Sequence, residues 1–209
     1  MQTRKIILEA AASLMNMHGV VNVTLRDVAK ATNKSYGNIT YHFATKDALL
    51  LGLFEAMDEA LQALQTQPAD TDLFAYLLDL PLLNFEISTQ YLFFTTDLVE
   101  IKRNHPAVFE RIHAMNEARR LRWRGLLESL QAHGYLRDEL ERADLDYLML
   151  LSVSVRTFYL QWQSPETLQA QAFAQTVNKL LVPYLTEKAT ATYDRWNKTQ
   201  DPMATSGLP

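Results

Sequence analysis

Apolar residues recur every three to four positions along almost the whole chain, whereas the apolar–polar alternation of a half-buried β-strand is nearly absent. The helix breakers Gly and Pro are few, with six and seven among 209 residues. This pattern predicts an all-α protein of about nine helices.

Caps and turn residues delimit four helices in the first third of the chain. Gly19 is placed to end the first helix, and Thr24 with Asp27 has the spacing of a capping box at the start of the second. Asn33 is the residue of the following turn best suited to a left-handed backbone, and Ser35 is a good N-cap for a short third helix. The predicted helices cover residues 3–17, 24–31, 36–42 and 46–65.

Five longer helical segments follow, separated by residues that end or begin helices. Pro106 and Gly134 delimit one of them, and Ser164 before Pro165 has the form of an N-cap followed by proline at the first helical position. The five segments are predicted at residues 70–85, 90–103, 107–132, 144–163 and 165–188. Residues 198–209 are predicted to form a flexible tail.

The second and third helices, joined by a tight turn, have the arrangement of a helix-turn-helix. Ile39 and Phe43 lie on one side of the third helix and are predicted to hold it to the first two helices. In such a motif the second helix enters the major groove of DNA, and its first residues face the base edges. The residues left facing outward are Tyr36, Asn38, Tyr41 and His42.

Several polar side chains near the third helix have chemistry suited to DNA. Asn38 is able to form two hydrogen bonds with adenine, Ser35 and the helix N-terminus are able to bind a phosphate, and Lys46 is able to neutralise one. The alternative is that these are ordinary solvated residues of a surface turn.

The distribution of charge agrees with a DNA-binding head. Net charge is −4 overall, but residues 1–47 contain six basic and three acidic residues, a net +3, which leaves −7 for the remainder. Such asymmetry is typical of a basic binding module joined to a body with another role.

Three short motifs carry a family resemblance: Val28-Ala29-Lys30-Ala31, Ser35-x-Gly37-x-Ile39 and His42-Phe43-x-x-Lys46-x-x-Leu49. Together with Thr24 five residues after Gly19, they resemble the tetracycline-repressor (TetR) family of bacterial transcriptional regulators over residues 4–50. The resemblance implies a nine-helix homodimer that binds an operator in double-stranded DNA and has a variable effector-binding body. It implies domains at residues 1–47 for DNA binding and 48–197 for effector binding and dimerisation. It also implies base contacts from Arg26, Tyr36, Gly37 and Asn38, and backbone contacts from Thr24, Tyr41, His42 and Lys46.

The sequence departs from the family pattern at four positions. Thr40 stands where the family usually has a tyrosine in the recognition helix, and Leu25 replaces a second threonine. Asn33-Lys34 replaces the common Gly-Val of the turn, so Lys34 either adds a phosphate contact or loosens the turn.

The last two predicted helices carry the argument for a dimer. The first of them is apolar on two faces, one with Tyr147, Phe158 and Trp162 and the other with Met149 and Leu160, so it requires burial on both. We expect a four-helix interface between two copies, the alternative being two central helices of a monomer. The predicted interface residues are Met149, Val153, Leu160, Ala170, Phe173, Ala174, Val177 and Leu181.

For a small-molecule effector of unknown identity, the sequence offers candidates. Arg119 falls within the apolar stripe of the helix at 107–132, where it either anchors an anionic effector, pairs with an internal carboxylate or extends its guanidinium to water. The aromatic candidates either line a cavity or are plain core. The predicted pocket comprises Tyr91, Phe93, Phe94, Asp97, Arg119, Trp123, Tyr159 and Trp162.

Other classes of function find little support. The sequence has no nucleophile elbow, phosphate-binding glycine loop or His-Glu-x-x-His pattern, so we expect no enzyme, no metal site and no cofactor. The absence of cysteine and of a long apolar run fits a cytoplasmic protein without a membrane partner. Two rival hypotheses are a ligand sensor or partner-binding protein whose helix-turn-helix no longer binds DNA, and a helical enzyme on a regulator-like scaffold.

Overall fold

The computed structural model describes residues 2–64, 72–164 and 166–200. Within these ranges the chain forms eleven α-helices and no β-strand, which confirms the all-α class but not the predicted count of nine. The helices are α1 Gln2–His18, α2 Leu25–Ala31, α3 Tyr36–His42, α4 Lys46–Leu64, α5 Leu73–Gln90, α6 Phe93–Thr96, α7 Leu98–Asn104, α8 Pro106–Ala132, α9 Arg142–Trp162, α10 Ala170–Asn178 and α11 Glu187–Thr199. None of them is both long and apolar enough to cross a membrane.

The single helix predicted at 90–103 is wrong, because the chain breaks there into α6 and α7. Asp97 stands at the break, with φ −106° and ψ 17°. Its carboxylate accepts a hydrogen bond from the Val20 amide at 2.5 Å, a contact that sequence periodicity does not reveal.

The single helix predicted at 165–188 is also wrong. The helix α10 begins at Ala170, and a 3₁₀ segment, Lys179–Tyr184, follows it. Pro183 lies in that segment and lacks the N–H that an α-helix would use. Leu185, the first residue after the segment, has an extended backbone. Pro165 and residues 201–209 lie outside the described residues, whereas residues 198 and 199 of the predicted tail belong to α11.

The described chain divides into two compact units. Among the described residues, the first unit comprises 2–63 and 87–116, and the second comprises 64, 72–86, 117–164 and 166–200. The helix α4 and the segment 87–116 thus pack with the helix-turn-helix.

The first unit has its own apolar core, contributed by α1 to α4, α6, α7 and the start of α8. Ile7, Ile39 and Leu53, on α1, α3 and α4, are completely buried in it. Asn16 on α1 joins that helix to the end of α5 and the start of α6. Its Nδ2 donates to the Gln90 carbonyl at 2.9 Å, and its Oδ1 accepts from the Phe93 amide at 3.0 Å.

The second unit packs α5, the later part of α8, and α9 to α11 around another core. Phe74, Leu130 and Ala189 are completely buried there. Trp196 on α11 donates from Nε1 to Asp79 on α5 at 2.8 Å, so α11 is fixed by a directed bond as well as by apolar packing.

Candidate nucleic-acid interface and other predicted sites

The start of α2 has the predicted capping box. The Thr24 hydroxyl oxygen accepts from the Asp27 amide at 3.3 Å, and the Asp27 carboxylate accepts from the Thr24 amide at 2.9 Å. Hydrogen bonds from the Thr24 side chain and backbone lower the pKa of Asp27 below its usual value. The carboxylate is therefore ionised at neutral pH, which suits the positive end of the α2 dipole.

The turn between α2 and α3 is a Schellman motif built on Asn33. Asn33 has φ 53°, which confirms the left-handed backbone predicted for it. The Lys34 amide donates to the Ala29 carbonyl at 2.9 Å, and the Asn33 amide donates to the Lys30 carbonyl at 3.1 Å. These bonds satisfy the last carbonyls of α2 and fix where α3 begins.

The helix α3 runs from Tyr36 to His42, with the bounds that the sequence predicted. Ser35 is its N-cap and accepts from the Asn38 amide at 3.2 Å. Ile39 is completely buried, and Phe43 at the C-cap is nearly so. The predicted anchors therefore do face the core of the first unit.

The opposite side of α3 is a polar and aromatic surface. The Tyr41 side chain is 85% exposed and Tyr36 is 48% exposed, while Asn38 is also exposed. The Arg26 guanidinium lies over the Tyr36 ring, 5.6 Å from its centre, and so joins α2 to α3 at the surface. The predicted DNA-binding residues that are exposed are Thr24, Arg26, Ser35, Tyr36, Gly37, Asn38 and Tyr41.

Three other predicted DNA-binding residues are half-buried: Lys34, His42 and Lys46. Lys46 donates from Nζ to the Val20 carbonyl and, at 3.3 Å, to the Val21 carbonyl. Partial burial lowers the pKa of Lys46. An ammonium group has three donors, so one donor of Lys46 remains beyond these two bonds.

Thr40, where the family usually has tyrosine, turns its hydroxyl back to its own helix. The hydroxyl lies 3.2 Å from both the Tyr36 and Gly37 carbonyl oxygens. Tyr41 beside it is more exposed than Tyr36, the other tyrosine of this helix, and its ring lies against His42 at 5.2 Å between centres.

The predicted effector pocket is not a single site within either unit. Tyr91, Phe93 and Phe94 are buried in the core of the first unit, where Phe94 packs edge-on against Phe54 with ring centres 5.4 Å apart. They are core residues, the alternative that the sequence left open. Asp97 was also predicted to line the pocket, but its carboxylate accepts a hydrogen bond from the Val20 amide.

The remaining predicted pocket residues belong to the second unit. Arg119, Trp123 and Tyr159 are half-buried, whereas Trp162 is 75% exposed and stacks on Phe158 with ring centres 5.5 Å apart. Trp162 is therefore a surface residue, which corrects its assignment to a pocket.

The residues predicted to meet a second copy are mostly buried within one chain. Met149, Leu160, Phe173, Ala174, Val177 and Leu181 are buried, and Ala170 is half-buried; only Val153 is exposed. The two faces of α9 were assigned the wrong way round. Large apolar side chains of α9 that are exposed in the described chain are Tyr147, Leu150, Val153, Phe158 and Trp162.

Sequence reasoning missed Arg156 on α9. Its position seven residues after the buried Met149 and four before the buried Leu160 places it on the buried face of that helix. A cation between apolar positions at helical spacing was a usable signal, but assigning the wrong face to the interior hid it.

Comparisons with known proteins agree with this architecture. A family model described as bacterial regulatory proteins, tetR family, matches residues 7–53, and one described as bacterial transcriptional repressor matches residues 54–193. Among curated proteins, none matches the sequence significantly.

Solved structures resemble most of the chain. A TetR-family transcriptional regulator from Marinobacter aquaeolei VT8 is 20% identical over 97% of this chain and 100% of its own, with a TM-score of 0.78. The fatty acid degradation regulator FadR from Bacillus halodurans is 21% identical over 87% of this chain and 99% of its own, with a TM-score of 0.69. The ketosteroid transcriptional regulator KstR2 of Mycobacterium tuberculosis is 19% identical over 88% and 96%, with a TM-score of 0.67. At sequence identities of 19–21%, these similarities show a shared fold and nothing beyond it.

Proposed function

The chain belongs to the tetR family of bacterial regulatory proteins, and from this premise we propose that it is a cytoplasmic repressor that binds a pseudo-palindromic operator as a homodimer. A small-molecule effector then releases it from the DNA. Residues 1–47 act as the DNA-binding domain, and residues 48–197 bind the effector and form the dimer.

The observation that carries the DNA-binding role is the construction of α3. Buried Ile39 and Phe43 fix the helix from behind, and the Asn33 turn fixes its start, so its outer side chains are presented on a rigid element. Of these, Asn38 in the first turn has two hydrogen-bonding groups suited to an adenine edge. The net +3 of residues 1–47, against −7 for the remainder, confines attraction for phosphate to this head.

The exposed apolar face of α9 supports the homodimer. Phe158 is 61% exposed and Leu150 is 61% exposed, although both are large apolar side chains. With Tyr147, Val153 and Trp162 they give one helix five such residues, and a cluster of this kind on a soluble helix marks an interaction surface. A homodimer carries two copies of α3, and a two-fold protein matches half-sites one helical turn apart on the DNA.

Release by an effector requires a difference in affinity. A ligand shifts the protein away from DNA only if it binds the released geometry better than the DNA-bound one. The family members with similar structures include regulators named for fatty acid degradation and for ketosteroids, which supports a small-molecule signal for this chain.

The DNA-binding role is tested by selecting bound duplexes from a randomised library with the purified protein, then titrating the recovered site at two salt concentrations. We expect a two-fold-symmetric site whose affinity falls as salt increases. Asn38→Ala should reduce discrimination at one base pair of each half-site by about 1–3 kcal/mol. The matched control is Asn104→Ala, an exposed asparagine on α7, which should leave the preference unchanged. Folded, dimeric protein that selects no sequence would refute the proposal.

The dimer is tested by light scattering at micromolar protein concentration. Phe158→Glu places a charge in the centre of the exposed α9 face and should give monomers, whereas Leu121→Glu, at a 58% exposed leucine of α8, should remain dimeric. A monomeric wild-type protein would contradict the proposed assembly.

A further inference from the structure

Arg156 is a half-buried cation without an anionic partner in the described part of the chain. Its Nε is shielded from solvent and has no hydrogen-bond partner. The ion pairs of the second unit involve other arginines, such as Arg124 with Asp146. Burial lowers the pKa of Arg156 to about 10, so the side chain is still charged at neutral pH. An isolated buried charge is costly, and such groups are ordinarily paired.

The surroundings of Arg156 are aromatic. Its guanidinium lies 5.3 Å from the centre of the Trp123 ring on α8. Tyr159 is one turn further along α9 on the same face, and its ring meets Phe173 edge-on with ring centres 5.4 Å apart. Phe85 of α5 extends this group, 5.5 Å from Phe173 between ring centres.

Tyr159 adds a polar group to this aromatic cluster. Burial raises the pKa of Tyr159, and its hydroxyl makes no hydrogen bond with any residue that the structure describes. Within the described ranges, a guanidinium and a phenol one turn apart thus both have donors without a protein acceptor.

A second copy of the chain is a poor source of the missing anion. Arg156 lies among the inward residues Leu145, Ser152 and Leu160 of α9, whereas Leu150 and Phe158 belong to the exposed apolar face. At about 100° per residue, Arg156 points roughly opposite to the middle of that exposed face. A partner docked there would not reach the guanidinium.

We propose that Arg156 binds the carboxylate of a small amphipathic effector, whose apolar part packs against Trp123, Tyr159 and Phe173. The inference rests on the proposed function and specifies the ligand class of its effector site. A planar guanidinium matches a carboxylate through two parallel hydrogen bonds, and one cation balances a monoanion. The Tyr159 hydroxyl supplies a further donor, and the half-buried state of the Arg156 side chain leaves it accessible to a ligand.

The test uses calorimetric titration of the full-length protein with sodium hexanoate and sodium phenylacetate, each compared with its uncharged amide. We expect each carboxylate to bind at least about tenfold more tightly than its amide, because only the carboxylate forms a charge-assisted bidentate pair. Arg156→Met should abolish this preference, and Arg156→Lys should retain part of it. The control is Arg122→Met on α8, where the arginine is exposed, and its binding should equal that of the wild type.

Thermal unfolding without ligand provides an independent readout. Since Arg156 has no anionic partner among the described residues, Arg156→Met should unfold at the same temperature as the wild type or higher, whereas loss of a structural ion pair would lower it. A lower unfolding temperature in Arg156→Met than in Arg122→Met would overturn the proposal. So would wild-type protein that does not prefer either carboxylate to its amide, or Arg156→Met protein that keeps the preference.

The outcomes separate this site from the DNA-binding role. If carboxylate binding depends on Arg156 but the protein selects no duplex, the carboxylate site is supported and the regulator role is refuted. A protein that selects an operator but does not prefer carboxylates would support the regulator role and refute the carboxylate site.

Discussion

The same substitution at two helical glycines should have opposite effects, because the space around them differs. Gly52 lies in α4, and a Cβ added there would come within 2.6 Å of Cε1 of Phe43 and 3.2 Å of Arg4 Nη2. Gly125 lies in α8, and a Cβ added there would meet no atom within 4 Å. Replacing each with alanine therefore compares a crowded site with an open one.

The magnitudes follow from two competing contributions. Alanine in place of glycine stabilises a helix interior by about 1 kcal/mol, and overpacking a core costs about 1–3 kcal/mol. The Phe43 ring has little room to retreat, since it is buried and lies under the Arg4 guanidinium at 5.3 Å. We expect Gly125→Ala to stabilise by about 1 kcal/mol and Gly52→Ala to destabilise by up to about 2 kcal/mol.

Thermal unfolding at fixed protomer concentration measures the stability change of each variant. The unfolding temperature of a chain of this size should shift by about 2–4 °C for each kcal/mol. Because Phe43 is the C-cap of α3, Gly52→Ala should also weaken binding to the selected operator. A second substitution, Phe43→Leu, removes the atoms in conflict and should make Gly52→Ala less harmful in that background. Equal stabilisation by Gly52→Ala and Gly125→Ala would refute the reasoning.

Three further predictions concern the turn, the cap and the link to α7. Asn33→Gly should be nearly neutral, whereas Asn33→Val should cost about 1–2 kcal/mol in urea unfolding because φ is 53°; equal effects would contradict the Schellman turn. Asp27 has a lowered pKa through Thr24, so its contribution to stability is present above its unfolded pKa and is lost as pH falls below about 4. A stability difference between wild type and Asp27→Asn that persists unchanged to pH 2 would count against it. Asp97→Ala should cost about 1.5–3 kcal/mol by removing the charged acceptor of the Val20 amide, and Asp97→Asn less; an effector response lost without a change in stability would instead favour its earlier assignment to the pocket.

The sequence by itself determined the bounds of α3 to the residue and those of α2 to within one residue. The cap at Thr24, the left-handed Asn33, the cap at Ser35 and the bounds of α3 all follow from hydrogen bonds between residues at most five positions apart. Such contacts depend on local sequence alone, so they can be predicted correctly from the sequence without knowledge of the tertiary structure.

Tertiary structure decided which faces of the helices are inside. The helix α9 is apolar on two sides, so periodicity cannot say which side its own chain buries, and Met149 and Leu160 proved to be inside while Leu150 and Phe158 are outside. The break at Asp97 likewise depends on an amide 77 positions away in the chain, that of Val20. A contact of that kind leaves no periodic signal near either residue, because its energy belongs to a pair that only the folded chain brings together.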